Sequence, residues 1–327
     1  MRVFLLGASG TIGMATARAL MRQGHEVVCF LRHPPNSPIS NSKDKLLTLL
    51  AGATLRYGDP CSLASLQKDG FANERFDAVV SCLASRTGTP QDAWRVDHQA
   101  HVWVLQAAQE SGVQHFVQLS AICVQKPLLA FQHAKLAFEN ALMASGLTYT
   151  IVRPTAFFKS LSGQLERVKK GKPFLIFGNG KLTACKPISD DDLADFISGC
   201  LNDQSRRNQI LTIGGPGPAM TPLEQGASLF QLLGKPPRFK SVPVGMLDVI
   251  IGILSVLGKV VPAAADKAEL ARIGRYYATE SMLVWNASTQ QYDPEGTPSH
   301  GHQTLLDAYA AWLQGEGAPD RREHAVF

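Results

Sequence analysis

Short apolar runs alternate with amphipathic helical stretches through the first half of the chain. Period-two and continuous apolar runs predict strands over 2–6, 26–31, 54–57, 76–83, 115–120 and 148–153. Helical spacing predicts helices over 11–23, 62–69, 92–111 and 130–145, with a weaker one over 43–51. This β-α rhythm gives a parallel sheet with helices on both faces. Right-handed crossovers then favour the doubly wound strand order 3-2-1-4-5-6 of a Rossmann-type α/β fold.

The second half lacks that rhythm. Short strands are expected over 174–177 and 210–213. One helix starts near Ser189 with three Asp in its first turn, which suits its dipole, and another starts at Thr221-Pro222. Gly/Pro-rich joints fall at 214–218 and 235–237. The chain therefore divides into a nucleotide-binding domain over 1–155 and a smaller substrate or lid region over 156–327. The strand near 209–213 is expected to return to the main sheet. The final ten residues, rich in charge, are expected to fray. The longest apolar stretch, Val242 to Pro262, is interrupted by Asp248 and Lys259 and is too short to span a bilayer. It is expected to be a buried or interfacial helix, which leaves peripheral membrane contact open.

Composition narrows the class. With 327 residues, 45% hydrophobic and 18% charged, the chain is an ordinary globular α/β protein. A net charge of +5 without a Lys/Arg run argues against nucleic acid as a partner. The six cysteines form no Cys-x-x-Cys and sit mostly in apolar patterns, as buried free thiols in a reducing compartment do. The chain opens directly into an apolar strand, which suggests a cytoplasmic protein. His98 with His101, and His300 with His302, lack a third ligand at suitable spacing, so no protein-bound metal is expected.

The chemistry lies at the strand ends. Gly7, Ser9, Gly10, Thr11, Ile12 and Gly13 form G-A-S-G-T-I-G between the first strand and its helix. There, glycines let backbone N–H groups approach a pyrophosphate. Arg32 stands at the end of strand 2, where a base accepts the 2′-phosphate of NADPH and an acid would select NADH. Asp59 could hydrogen-bond the adenine amino group, while Leu83 and Ala84 flank the adenosine ribose. In the arrangement of short-chain reductases, Ser120 would face the nicotinamide. Lys135 would bind its ribose, and these two are the catalytic candidates. Position 131, four residues before Lys135, is where that arrangement carries a Tyr as proton donor. This chain has Phe131, so alcohol–ketone interconversion is disfavoured and a carbon–carbon double bond becomes the natural target.

The segments LSAICVQKPLLAFQHAKLAFE, IVRPTAFFKSLSGQLE, GKLTACKPIS, IGGPGPAMTPLEQG and IGRYYATESM resemble the divinyl chlorophyllide a 8-vinyl-reductases. These are atypical, NADPH-dependent short-chain reductases of (bacterio)chlorophyll biosynthesis. The resemblance implies reduction of an 8-vinyl to an ethyl group. It also implies a tetrapyrrole substrate carrying its own magnesium, and a place in the cytoplasm or at the edge of a photosynthetic membrane. By analogy Pro154, Thr155 and Phe157 pass the nicotinamide, with Phe131, Phe158 and Lys159 at the substrate. Phe157, Phe158, Phe174 and Phe177 are candidates to stack on the macrocycle, and Arg153 and Lys159 to neutralise its propionate. The proton donor is left open between water, Lys135 and a lid residue. Two alternatives stand beside this: an isoflavone-reductase-like enzyme acting on another planar aromatic, and an NADP(H)-binding sensor without turnover. The oligomeric state is not legible.

Overall fold

The computed structural model describes residues 1–33 and 48–317. β1 (Arg2–Leu6), α1 (Thr11–Arg22) and β2 (Glu26–Leu31) open the fold. β3 (Thr54–Tyr57), α2 (Leu63–Ser65) and β4 (Ala78–Ser81) follow. α3 (Pro90–Ala93) and α4 (His101–Glu110) flank a π-helical stretch, Trp94–Ala100. β5 (His115–Leu119), α5 (Ala130–Met143) and β6 (Thr148–Pro154) complete the alternation. The helix expected over 43–51 lies mostly outside the described residues, as do the final ten.

After β6 come α6 (Phe158–Leu161), α7 (Leu165–Lys169), β7 (Phe174–Phe177), α8 (Asp190–Gly199) and β8 (Gln209–Ile213). α9 (Pro222–Leu232), β9 (Phe239–Val242), α10 (Val244–Leu257) and α11 (Pro262–Thr279) follow. β10 (Val284–Asn286), β11 (Gln291–Asp293) and α12 (Leu305–Leu313) end the described chain.

The main sheet is parallel throughout, in the order β3-β2-β1-β4-β5-β6-β8. The strands are almost continuously apolar because both faces are covered. Alternation assigns Val3 and Leu5 to one face, against Leu20 of α1 and Leu193 and Ile197 of α8. Phe4 and Leu6 take the other, against Val104 of α4 and Phe138 and Leu142 of α5. β8 reaches the sheet only after the segment of α6 to α8, and pairs with β6 from Thr150↔Gln209 to Pro154↔Ile213.

The remaining chain builds a lobe over the carboxyl ends of the strands. β7 and β9 make a small parallel pair, and β10 and β11 a hairpin. The apolar stretch after residue 242 is α10, and the buried alternative for it is overturned: none of its residues is buried. α11 packs on one side of it only. Met246, Val249, Ile250, Ile253, Val256, Leu257 and Val260 therefore face outward at i, i+3, i+4, i+7 spacing, with Val260 86% exposed. Asp248 is not a stray charge in an apolar run, since it pairs with Arg275 of α11. Among the described residues no helix is long and apolar enough to cross a membrane.

Candidate active site

The glycine turn after β1 shows a division of labour. Gly7 has φ +79°, and a Cβ there would lie 2.5 Å from the carbonyl carbon of Cys82. At Gly13 a Cβ would stand 2.1 Å from the oxygen of Gly7. Both glycines let strand, turn and helix close on one another. Gly10 is different, because its nearest neighbour would be the Gly7 oxygen at 3.4 Å and the space beyond is open. Gly10 is also the N-cap of α1, with no side-chain cap and no acid in the first turn. The turn thus presents uncapped N–H groups from Thr11, Ile12 and Gly13 at an open helix N-terminus, beside the exposed Ser9. This fits the pyrophosphate of a dinucleotide.

Arg32, Asp59, Leu83 and Ala84 line one cleft at the end of β2, β3 and β4, together with Arg86 and Arg95. Asp59 spends Oδ1 on the backbone N–H of Cys61 at 2.9 Å. The Cys61 thiol is pushed up chiefly by burial, and then by Asp59, against the pull of Arg95 and Arg32. The three guanidinium groups give this end of the cleft the sign a phosphate needs.

Deeper in, Lys135 is buried and held rigidly. Its Nζ donates to Asp97 Oδ1 at 2.9 Å, and Asp97 is itself fully buried. Asp97 also accepts from the Ser85 hydroxyl at 2.5 Å and from the Ser85 backbone N–H at 3.2 Å. Behind it, His101 Nδ1 bonds the Val96 carbonyl at 2.9 Å and Nε2 bonds Ser81 Oγ at 2.8 Å. Burial, then the nearby Lys135 charge, push His101 down to about 4. A neutral His101 with both nitrogens engaged backs the ion pair.

Ser120, expected to face the nicotinamide, has its hydroxyl engaged by the protein itself. It is buried, and its hydroxyl donates to Glu139 Oε1 at 2.5 Å. Glu139 also pairs with Arg153. The side chain that joins the apolar cluster around Phe131 is the next residue, Ala121. Glu139 stands one helical turn beyond Lys135 on α5, so the Ser120 hydroxyl is taken up by a carboxylate next along that face. Arg153 is correspondingly spent on Glu139.

Phe131 is 9% exposed and packs with Ile122, Cys123, Ala134 and Ile273. The residues after β6 are sorted by burial. Pro154 is buried; Thr155 is too, with its hydroxyl donated to the Lys186 carbonyl and its N–H to Ile213 O at 2.9 Å. Phe158 and Phe174 belong to the lobe's own core with Leu165, Val168 and Tyr309, so neither ring is open to a ligand. Phe157 and Phe177 remain partly exposed. Lys159 lies within electrostatic reach of Asp190, the first residue of α8. Asp190 lies close to Thr11 of α1, and its Oδ1 is buried without a partner among the described residues. Burial holds this carboxyl above its usual range, opposed by Thr11 and Lys159.

Sequence reasoning missed Asp97, Arg86, Arg95 and the role of Asp190. Asp190 carries a readable signal, an acid at a helix start, but that signal points to the dipole rather than to the glycine turn at the start of the neighbouring helix α1.

Residues 7–204 match a family described as NAD(P)H-binding. A protein of Oryza sativa subsp. indica, named divinyl chlorophyllide a 8-vinyl-reductase, is 51% identical over 99% of this chain and 82% of its own length. A protein of the same name in Arabidopsis thaliana is 48% identical over 94% of this chain and 76% of its own. In three dimensions, the leucoanthocyanidin reductase–NADPH complex of Vitis vinifera is similar with a TM-score of 0.66, over 96% of this chain and all of its own, at 17% identity. That last likeness is one of fold. The identity shared with the first two along nearly the whole chain decides the matter, and the chain belongs to the divinyl chlorophyllide a 8-vinyl-reductase family.

Proposed function

We propose that this chain reduces the 8-vinyl group of a divinyl chlorophyllide or protochlorophyllide to an ethyl group, with NADPH as reductant. The observation that carries the reading is the 51% identity to a vinyl reductase over 99% of the chain. The geometry agrees with it. When bound, NADPH supplies hydride to an alkene made electrophilic by its macrocycle. The α1 N-terminus and Gly10 hold the pyrophosphate. Arg32 meets the 2′-phosphate, with Asp59, Leu83 and Ala84 around the adenosine. Lys135, oriented by Asp97, holds the nicotinamide ribose. Pro154, Thr155 and Phe157 shape the path beyond it. Ser120 acts from behind, as a brace on Glu139 and Arg153. Phe131 keeps the place of the usual phenol apolar. Phe157 and Phe177 offer ring faces to the macrocycle, and Lys159 offers its charge to the propionate, since Arg153 is already paired. The substrate brings its own magnesium.

The outward face of α10 supports contact of a cytoplasmic protein with the membrane surface near which such amphiphilic pigments gather. Its six exposed apolar residues, continued by Val260 just past its end, stand beside the exposed Lys240 and Lys259.

Purified protein mixed with NADPH and divinyl chlorophyllide should convert the pigment, read by its absorption shift and chromatographic retention. Oxidation of NADPH without pigment change would move the substrate to another planar aromatic. Binding without oxidation would make the chain a sensor. Arg32→Asp should weaken NADPH by about 10- to 100-fold while leaving NADH nearly unchanged, because a charge-assisted bond to phosphate is what it removes. Equal weakening of both cofactors in titrations would overturn the role given to Arg32.

A further inference from the structure

Phe131 leaves the reduction one proton short, and the lobe supplies a phenol close to the place where it is missing. α11 lies against the apolar cluster of Phe131, Cys123 and Ala134, and carries two consecutive tyrosines. Tyr276 is spent on structure, since its hydroxyl donates to the Cys123 carbonyl at 3.0 Å and the Lys126 carbonyl at 3.1 Å. That pair of bonds fixes α11 on the loop after β5. Tyr277 packs on the same cluster, stays partly exposed, and lies within electrostatic reach of the Cys123 thiol. Lys135 acts on that thiol from the other side. Gln132, fully buried, carries an Nε2 without a hydrogen-bond partner and lies beside Cys123 and Tyr276. Phenol, thiol, ammonium and an unanswered amide thus converge beside Phe131. The other lobe tyrosines near this region are committed, Tyr292 to Glu280 and Tyr309 to the Leu161 carbonyl.

We infer that Tyr277 is the proton donor of the reduction, the phenol having moved from α5 to α11. This inference rests on the vinyl-reductase reading above. Hydride addition forms one C–H bond at a vinyl carbon and shifts the π pair toward the macrocycle. The Tyr277 O–H bond then breaks and its proton forms the second C–H bond at the other vinyl carbon. The phenolate regains a proton from water. Burial, then Cys123, hold the Tyr277 hydroxyl well above its ordinary range, so the donor enters each turnover protonated.

The test compares wild type with Tyr277→Phe in single-turnover reduction of divinyl chlorophyllide, alongside NADPH titration by fluorescence and thermal unfolding. The expected result is a loss of at least ~100-fold in rate, with NADPH affinity and melting temperature unchanged. A Phe variant within a few fold of wild type overturns the inference. So does a rate loss matched by an equal loss of NADPH affinity. Replacing Tyr277 by 2,3-difluorotyrosine guards against a misfolded variant: the limb of the pH–rate profile should move to lower pH with the more acidic phenol, and an unmoved profile overturns the assignment. Wild type that leaves the pigment untouched would instead strike at the vinyl-reductase reading itself.

Discussion

Asp97 and Lys135 form an ion pair in a site where the aspartate is fully buried and the lysine 9% exposed. Removing one leaves the other charge stranded, which typically costs about 3–5 kcal/mol. Asp97→Ala should therefore lower stability by about that amount in urea unfolding and weaken NADPH binding. The double variant Asp97→Leu with Lys135→Met should regain most of the stability but none of the affinity. Half of this pair was legible beforehand. Lys135 announces itself four residues after Phe131 on one helical face. Asp97 does not, because 38 positions separate it from Lys135. It also sits in a π-helical stretch, where the wider turn rotates side chains off the faces that α-helical spacing assigns. The partner of Ser120 was hidden for a comparable reason, since Glu139, which takes its hydroxyl, lies 19 positions on.

At the scale of elements, the turn between β1 and α1 separates binding from folding. Gly10→Ala adds a methyl into open space at an N-cap with φ −82°, which any residue tolerates. It should leave the melting temperature within a degree or two and obstruct the pyrophosphate, raising the NADPH Kd. Gly13→Ala places the methyl 2.1 Å from the Gly7 oxygen and should cost stability as well as affinity. A melt and a titration on each variant check both expectations. The β-α alternation of the first half was legible because its longer members, β2, α1, α4 and α5, show their period and frame the shorter ones. Three- and four-residue strands such as β9 and β10 show none. α10 gave an unclear signal for the opposite reason, being apolar on nearly every side, so periodicity alone could not say whether it was covered.

Across the whole molecule, two buried histidines set the response to acid. His101 and His115 are both pushed down to about 4 from an ordinary 6.5, by burial first and then by Lys135 and Arg207 respectively. The unfolded chain binds these protons before the folded one does. Stability is therefore full above pH 6.5 and falls between 6.5 and about 4, by about 1.4 kcal/mol per unit for His101. Urea midpoints measured across that range should show the decline, and His101→Gln should flatten it. The strand order was readable from the rhythm of the first half. The weight carried by the second half was not, because packing between distant segments leaves no local trace. α8 covers α1, and β8 supplies the outermost neighbour of β6. During synthesis, then, a ribosome that has delivered the nucleotide-binding half must still deliver residue 213 before the barrier-forming pairings are complete. Until that moment the nascent chain carries a bare strand edge and an uncovered greasy helix, the features that chaperones bind.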